Sequence, residues 1–429
     1  MRLPGRLSAA IAVLTDIEAR KRPVSEALKD WGNANRFAGS GDRAAIGNHV
    51  YDALRRKSSH AFVIGSDGPR DLVLAVAVRD WNEDIAALNA SFEGDRFAPA
   101  PITEEEAARL TSEDALANAP DHVRADVPEW TVPSIKLSLG DDWIAEGVAL
   151  TARPPLDLRV NTLKSNRDKV LKALKRFDPV ETAIAAQGVR FPAGNRDSRT
   201  PNVQSDEGYL KGWFEVQDQG SQIVSALAGA KPGEQVLDLC AGAGGKTLAM
   251  AAVMNNKGQL FAYDSERPRL APIYDRLQRN GVRNAQVRPP EPDALDDLVG
   301  KMDRVVIDAP CTGTGTWRRR PDAKWKLTPE QLAIRIAEQS AILADAARFV
   351  KPGGTLIYIT CSILVEENDQ QVANFLAANP SFAAQSPEAL WTEHFPTHSL
   401  PKSASVHGVT LTPRTTDTDG FYLAALKKA

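Results

Sequence analysis

Only three cysteines occur in 429 residues, at positions 240, 311 and 361, and no two of them form a Cys-x-x-Cys pair. That scarcity excludes a disulfide framework and a cysteine-built metal centre; no metal is expected, and free thiols suit a reducing compartment. The chain also lacks any uncharged apolar stretch near the roughly 20 residues that a bilayer span needs. Met1 to Val13 holds two arginines and scattered apolar residues, but no apolar core followed by a cleavage site. The expected location is therefore cytoplasmic, without a membrane partner. Charge of one sign is missing as well: 52 basic against 55 acidic side chains leave a net charge of −3. A chain so balanced does not coat nucleic acid indiscriminately, and any polyanion must meet a local patch. There is no internal repeat and no low-complexity tract.

What is present is enough apolar material, 43% of residues, to bury the cores of two or three domains. Residues 1–125 read as an all-helical domain: Leu7, Ile11 and Leu14 share a face, and Leu72–Val78 is nearly continuous apolar. Residues 126–205 mix a strand at Leu156–Asn161, a helix at Asp168–Phe177 and a loop at Pro192–Ser205, rich in Gly, Asn, Arg, Ser and Pro. Residues 206–429 alternate. Apolar runs at Val236–Leu239, Leu260–Ala262, Val305–Ile307 and Leu356–Ile359 are separated by helical stretches near Leu248–Met254, Arg267–Arg279 and Pro329–Val350. This alternation predicts an α/β, Rossmann-like, doubly wound and mainly parallel sheet, separate from the helical domain. Ligands of such sheets bind beyond the C-terminal ends of the strands.

The first of these runs leads into Asp238-Leu239-Cys240-Ala241-Gly242-Ala243-Gly244-Gly245-Lys246-Thr247. A phosphate-binding P-loop needs glycine where Cys240 stands, and the dinucleotide pattern Gly-x-Gly-x-x-Gly fails at Thr247. The glycines still allow a sharp turn and close approach to a ligand at a helix N-terminus. Asp264 closes the second strand, where a carboxylate can accept hydrogen bonds from both hydroxyls of a ribose. Capping the helix near Arg267 is the alternative, which Ser265 could serve instead. Asp293, beyond Pro289-Pro290-Glu291-Pro292, could receive an adenine amino group in the same way.

Cys311, in Asp308-Ala309-Pro310-Cys311, and Cys361, in Thr360-Cys361-Ser362, each follow an apolar run. Both thiols are thus expected at the ligand-binding edge of the sheet. The thiol of Cys240 reads as a small buried hydrophobe, the commonest fate of a free cysteine. Among the basic runs, Arg20-Lys21-Arg22 and Arg55-Arg56-Lys57 read mainly as solvated surface. Arg318-Arg319-Arg320, with Lys324 and Lys326, differs because Trp317 and Trp325 are interleaved with the charges directly after Cys311. Aromatic and guanidinium planes beside a reactive site suit stacking on unpaired bases. Packing against the domain is an equal alternative for Trp325.

Taken together, Asp238-Leu239-Cys240-Ala241 with Gly244-Gly245-Lys246-Thr247, Asp308-Ala309-Pro310-Cys311-Thr312-Gly313-Thr314-Gly315 and Thr360-Cys361-Ser362 resemble the Nop/Sun-type RNA cytosine-5 methyltransferases. Arg159-Val160-Asn161-Thr162, Val216-Gln217-Asp218-Gln219-Gly220-Ser221, Arg319-Arg320-Pro321-Asp322 and Asp419-Gly420-Phe421-Tyr422 extend the resemblance over about residues 125–429. The chain departs from the family where Gly242-Ala243 replaces the usual Ala-Pro. In position and size, the helical N-terminal region is similar to the NusB-like RNA-binding domain of bacterial small-subunit rRNA methyltransferases. The absence of a further RNA-binding module after the catalytic domain favours that subgroup.

The resemblance implies S-adenosylmethionine as cofactor, held by Cys240, Ala241, Gly242, Gly244, Gly245, Lys246, Asp264, Asp293 and Asp308. It implies RNA as the partner, most simply small-subunit rRNA, with Arg159, Asn161, Arg318, Arg319, Arg320 and Lys324 as contacts and the chain acting as a monomer. Carbon 5 of cytosine is a poor nucleophile until a thiolate adds to carbon 6. The resemblance gives that attack to Cys361, assists release through Cys311, and lets Asp308 hold the cytosine edge; Lys246 or nearby arginines are candidates for lowering a thiol pKa. The target base must be unpaired or flipped out. A DNA cytosine-5 methyltransferase would place the nucleophile in the Pro-Cys motif and a Glu-Asn-Val element where Thr360-Cys361-Ser362 stands. A tRNA substrate is an alternative. So is a non-catalytic assembly factor, against which intact Asp264, Asp308, Cys311 and Cys361 argue.

Overall fold

The computed structural model describes residues 1–429. Helices at Leu3–Arg20, Val24–Ala34, Ser40–Arg55, Lys57–Ile64 and Pro69–Ala75 surround a core of 24 buried residues that includes Leu7, Leu14, Ile46 and Val50. Leu72 to Ala77 are all enclosed. A helix buried on every side carries no polar stripe, which is why this run reads as continuous apolar sequence. No helix is long and apolar enough to cross a membrane.

Helices continue past residue 125, at Val132–Leu139 and Trp143–Ala149, but they pack elsewhere. Their Ile135, Leu139 and Trp143 join Trp317, Leu332, Ile363 and Leu364 in a separate cluster of ten buried residues. Next come β1 (Leu156–Val160), β2 (Val180–Glu181), β3 (Gly188–Phe191) and β4 (Phe214–Val216). They form an antiparallel sheet in the order β2-β3-β1-β4. Strand β4, at 214–216, pairs with β1 although it lies beyond residue 205. Three residues are too few to show a period of two in sequence.

The main sheet follows: β5 (Gln235–Asp238), β6 (Gln259–Tyr263), β7 (Ala285–Arg288), β8 (Met302–Asp308), β9 (Val350–Thr360), β10 (Phe382–Ala384), β11 (Val409–Leu411) and β12 (Phe421–Lys428). Its order is β10-β12-β9-β8-β5-β6-β7, with β11 also on β12. Strands β5 to β9 pair in parallel, and β12 is antiparallel to β9, β10 and β11. Alternate residues serve opposite faces: Val236, Val306, Ile357 and Ile359 enter one core of 26 buried residues, whereas Leu237, Val305, Ile307, Leu356 and Tyr358 enter another of 21. Each such aliphatic side chain contributes roughly 1.5–3 kcal/mol on burial. Burial on both faces explains the unbroken apolar runs. The expected helix Arg267–Arg279 is divided into Arg267–Leu270 and Ile273–Asn280 around Pro272, which offers no backbone N–H. Thr328 caps Pro329–Ala347 through a reciprocal pair with Gln331.

Candidate active site

Strands β8 and β9 are parallel neighbours, with Asp308 beside Ile359 in register. Their chains leave the sheet at the same edge, so Cys311 and Cys361 emerge together, Sγ to Sγ 3.3 Å apart. The hydrogen bond to Cys361 and burial hold the Cys311 thiol well above its usual range, and the Glu367 carboxylate adds to the effect. Either sulfur can donate in the contact between them. The two loops are laced to each other: Gly315 N donates to Cys361 O (2.9 Å), Ile363 N donates to Thr314 Oγ1 (2.9 Å), and Thr314 and Ser362 share a hydroxyl bond of 2.9 Å. Gly315 also lies so close to Gly420 that a Cβ there would meet the Gly420 carbonyl oxygen at 2.1 Å.

Asp308, the last residue of β8, is partly open to solvent and pairs with Lys246 Nζ at 2.6 Å. Lys246 comes from the first turn of the helix Gly245–Val253, and its ammonium stands 5.7 Å from the centre of the Phe421 ring. The end of the chain thus enters the site through β12. Gly242 and Gly244 have φ of +50° and +84°, which favour glycine, so the Gly242-Ala243 departure supplies flexibility where the turn uses it. Gly242 N donates to Asp264 Oδ2 and Glu266 N to Asp264 Oδ1, each at 2.9 Å. Asp264 therefore fixes the glycine turn from the neighbouring strand, while each of its oxygens keeps a second lone pair. Behind the turn, Asp238 accepts from Thr247 Oγ1 at 2.6 Å, its Oδ1 is buried without a partner, and burial pushes its carboxyl up to about 7. Ala241 N donates to Tyr263 O (2.8 Å), tying the turn to β6. Burial likewise pushes the Cys240 thiol up, in keeping with an inert side chain. Asp293 is exposed on the loop after β7.

The expected RNA contacts need correction. Lys324 is 1% exposed and donates to Arg55 O (2.8 Å) and Asp126 O (2.7 Å). Arg318 is 1% exposed, with its Nε on Asp419 at 2.5 Å. Arg319 is half-buried and binds Asp419, Asp218 and Pro155 O. Trp317 is enclosed, and Trp325 Nε1 donates to Leu54 O at 2.6 Å. The segment is thus a buttress that joins the Cys311 loop to the helical region, and only Arg320 stands free on the surface. Asn161 is buried as well and donates to Gly212 O and Asn280 O (2.8 and 2.9 Å), pinning the small sheet to the main one. Arg159 is buried against Gln217 (2.6 Å), and burial lowers its guanidinium to about 10.

Sequence reasoning missed Glu367. It is fully enclosed, accepts from Thr312 N (2.8 Å) and Thr312 Oγ1 (2.5 Å), and takes Gln339 Nε2 at 2.9 Å. Gln339 also donates to Pro310 O at 2.9 Å. Glu367 therefore clamps the loop on both sides of Cys311. The available signal was a pair of acids, Glu366-Glu367, six residues after Cys361 at its second member and bordering an apolar run.

Comparison with known proteins gives a consistent picture. Residues 225–427 match the family described as 16S rRNA methyltransferase RsmB/F, and residues 127–193 match the RsmF/B-like ferredoxin-like domain. A Synechocystis sp. protein named as a "Probable ribosomal RNA small subunit methyltransferase B" is 33% identical over 310 residues, covering 70% of this chain and 67% of that relative. Ribosomal RNA small subunit methyltransferase B of Yersinia enterocolitica is 36% identical over 304 residues, covering 70% of this chain and 66% of the relative. The matched stretch thus spans about two thirds of these relatives. A solved methyltransferase homologue from Pyrococcus horikoshii superposes with a TM-score of 0.58 at 25% identity, covering 72% of this chain and 98% of that one. NSun6 from Pyrococcus horikoshii, solved with SFG, shares the fold with a TM-score of 0.60 at 20% identity, covering 70% and 98%.

Proposed function

This chain belongs to the 16S rRNA methyltransferase RsmB/F family, within the Nop/Sun-type group, and we propose that it forms 5-methylcytosine in small-subunit ribosomal RNA with S-adenosylmethionine as cofactor. The observation that carries the reading is the pair of thiols, 3.3 Å apart, at the ends of adjacent parallel strands. The names of its relatives support the substrate. The division into residues 1–125, 126–205 and 206–429 belongs to the same proposal, with the middle part extended to β4. Packing of the helices after residue 125 against Trp317 and Ile363 supports its first boundary.

The residues at the glycine turn fit the cofactor. Gly245 has open space where a side chain would stand, the turn bends through two positive-φ glycines, and an acidic residue ends the next strand. Gly242, Gly244, Gly245, Lys246 and Asp264 would hold it, with Asp308 closing the side that faces the base. When bound, S-adenosylmethionine supplies an electrophilic methyl group.

The protein's own part is to make carbon 5 a nucleophile. The Cys361 thiolate adds to carbon 6, a carbon–sulfur bond forms, and the π electron pair moves toward carbon 5. Asp308, held by Lys246 at 2.6 Å, binds the cytosine edge in this reading and favours protonation of ring nitrogen 3 as that charge develops. After carbon 5 is substituted, its proton passes to solvent water, the C5–H electron pair restores the double bond, and the Cys361 sulfur leaves with the electron pair of the broken carbon–sulfur bond. Cys311, whose thiol its surroundings hold well above its usual range, can deliver a proton to that leaving sulfur.

Bisulfite sequencing of total RNA from cells with and without the protein tests this function. One protected cytosine in small-subunit rRNA should disappear on deletion and return with the wild-type protein but not with Cys361→Ala. An unchanged map would overturn the proposal.

A further inference from the structure

A cavity of about 430 Å³ opens where the three parts of the chain meet. Its walls bring together Tyr51 and Arg55 from the helix Ser40–Arg55, Arg153 and Phe177 from the middle region, Arg199 from the loop after β3, and Arg319 from the segment after Cys311. No carboxylate is among the lining residues. Part of the positive charge is answered from behind, because Asp52 pairs with Arg55 at 2.8 Å and with Arg153. Two guanidiniums on one carboxylate leave a surplus charge. Arg319 shares Asp218 and Asp419 with Arg318. Arg196 pairs with Glu83 and Asp197, whereas Arg199, three residues on, has no carboxylate within ion-pair distance.

The same cavity offers aromatic surface. Phe177 meets Phe191 edge to face, with centroids 6.2 Å apart, and the Tyr51 ring lies 5.5 Å from the Arg55 guanidinium. The loop that carries Arg199 is anchored to the helical region by Asn48, whose amide donates to Arg196 O (2.8 Å) and Ser198 O (3.1 Å). The other end is fixed to the reaction centre: Arg319 binds Asp419, Gly420 N donates to Gly315 O (2.8 Å), and Gly315 N donates to Cys361 O (2.9 Å).

We propose that this cavity is a subsite for one unpaired nucleotide of the substrate RNA, distant in sequence from the cysteines but held in register with them. Guanidinium forks match phosphate oxygens, and aromatic faces accept bases that have left their stack. Arg199 and Arg153 take the phosphate; Tyr51 and Phe177 face the base. The inference rests on the proposed RNA substrate and assigns a place for part of it.

The test uses the full-length protein and a small-subunit rRNA transcript, with filter binding measured across a salt series. Arg199 is on a loop, so Arg199→Ala should leave thermal unfolding unchanged. It should weaken binding about fivefold at near-physiological salt and reduce the slope of log affinity against log salt by about one. Arg199→Lys should restore the slope and only part of the affinity. An unchanged affinity and slope in Arg199→Ala, with wild type binding and methylating the transcript, overturns the subsite alone. Failure of the wild type to bind or methylate the transcript overturns the function beneath it. With a fully paired RNA duplex as probe, the effect of Arg199→Ala should shrink; an equal loss would contradict the unpaired-nucleotide assignment.

Discussion

The helical region and the main sheet bury apolar cores of similar size, 24 residues against 26 and 21, yet they use buried polar groups differently. In the helical region these groups serve as fastenings. Asp126 caps Ser58 N and Ser59 N, Arg55 reaches Arg318 O at 2.8 Å, and Lys324 returns to Arg55 O. In the sheet they collect at the C-terminal strand edge around open space: Asp238, Asp264 and Glu367 position backbone or hydroxyl groups, and Asp308 remains partly exposed beside Lys246. Buried charge fastened to distant carbonyls and carboxylates marks a joint, whereas buried charge beside an accessible carboxylate marks the candidate site.

The sharpest way to break this contrast is to remove a sheet-edge clamp. Glu367→Ala frees the loop around Cys311 and should lower methyl transfer about a hundredfold, the scale of an ångström misplacement near a reacting centre. Glu367→Gln, which keeps an acceptor for Thr312 N and Gln339, should restore most of it. Equal losses in both variants would assign the effect to charge instead of position, and single-turnover methylation distinguishes the two. Lys324→Met attacks the joint instead. It strands two buried carbonyls, at Arg55 and Asp126, and should cost about 2 kcal/mol of stability in urea unfolding, with transfer reduced less than by Glu367→Ala.

A smaller effect sharpens the comparison through pH. Burial lowers the His49 imidazole to about 4, while its Nε2 lies 2.7 Å from Val73 O. The unfolded chain takes up this proton near pH 6.5 and the folded chain only near 4, so the helical region loses stability as pH falls through that window. Asp238, raised to about 7 by burial, acts in the opposite sense: the folded sheet keeps a proton that the unfolded chain has released, so its contribution rises as pH falls from about 7 to 4. Between pH 7 and 5.5, His49→Gln should remove about 1 kcal/mol of acid sensitivity. Asp238→Asn should increase the net acid sensitivity, and both slopes can be read from thermal unfolding.

Much of the sheet was legible because strands buried on both faces leave unbroken apolar runs, as at Val236–Leu237 and Leu356–Ile359. Strand β7 was not: its residues are half-exposed at the sheet's edge, and Ala285–Arg288 has no apolar run. The short strands β4, β10 and β11 depend on pairing partners more than on their own pattern. Within the site, the cysteine pair, Asp308 and the glycine turn were visible as motifs next to strand ends. The segment Arg318–Lys326 was misread because interleaved charge and tryptophan describe a wet RNA surface and a polar domain joint equally well. Only the carbonyls at Arg55 and Asp126, far away in sequence, tell them apart. Glu367 was hidden for the same reason, since its partners on the Cys311 loop come from another strand.

The central claim is that two thiols divide the work of addition and release. Its most direct measurement incubates Cys311→Ala with S-adenosylmethionine and a small-subunit rRNA transcript, followed by a denaturing gel. A protein–RNA band that survives denaturation, and that is absent from Cys361→Ala and from the double variant, is the predicted result. Normal turnover by Cys311→Ala with no such band would contradict the account.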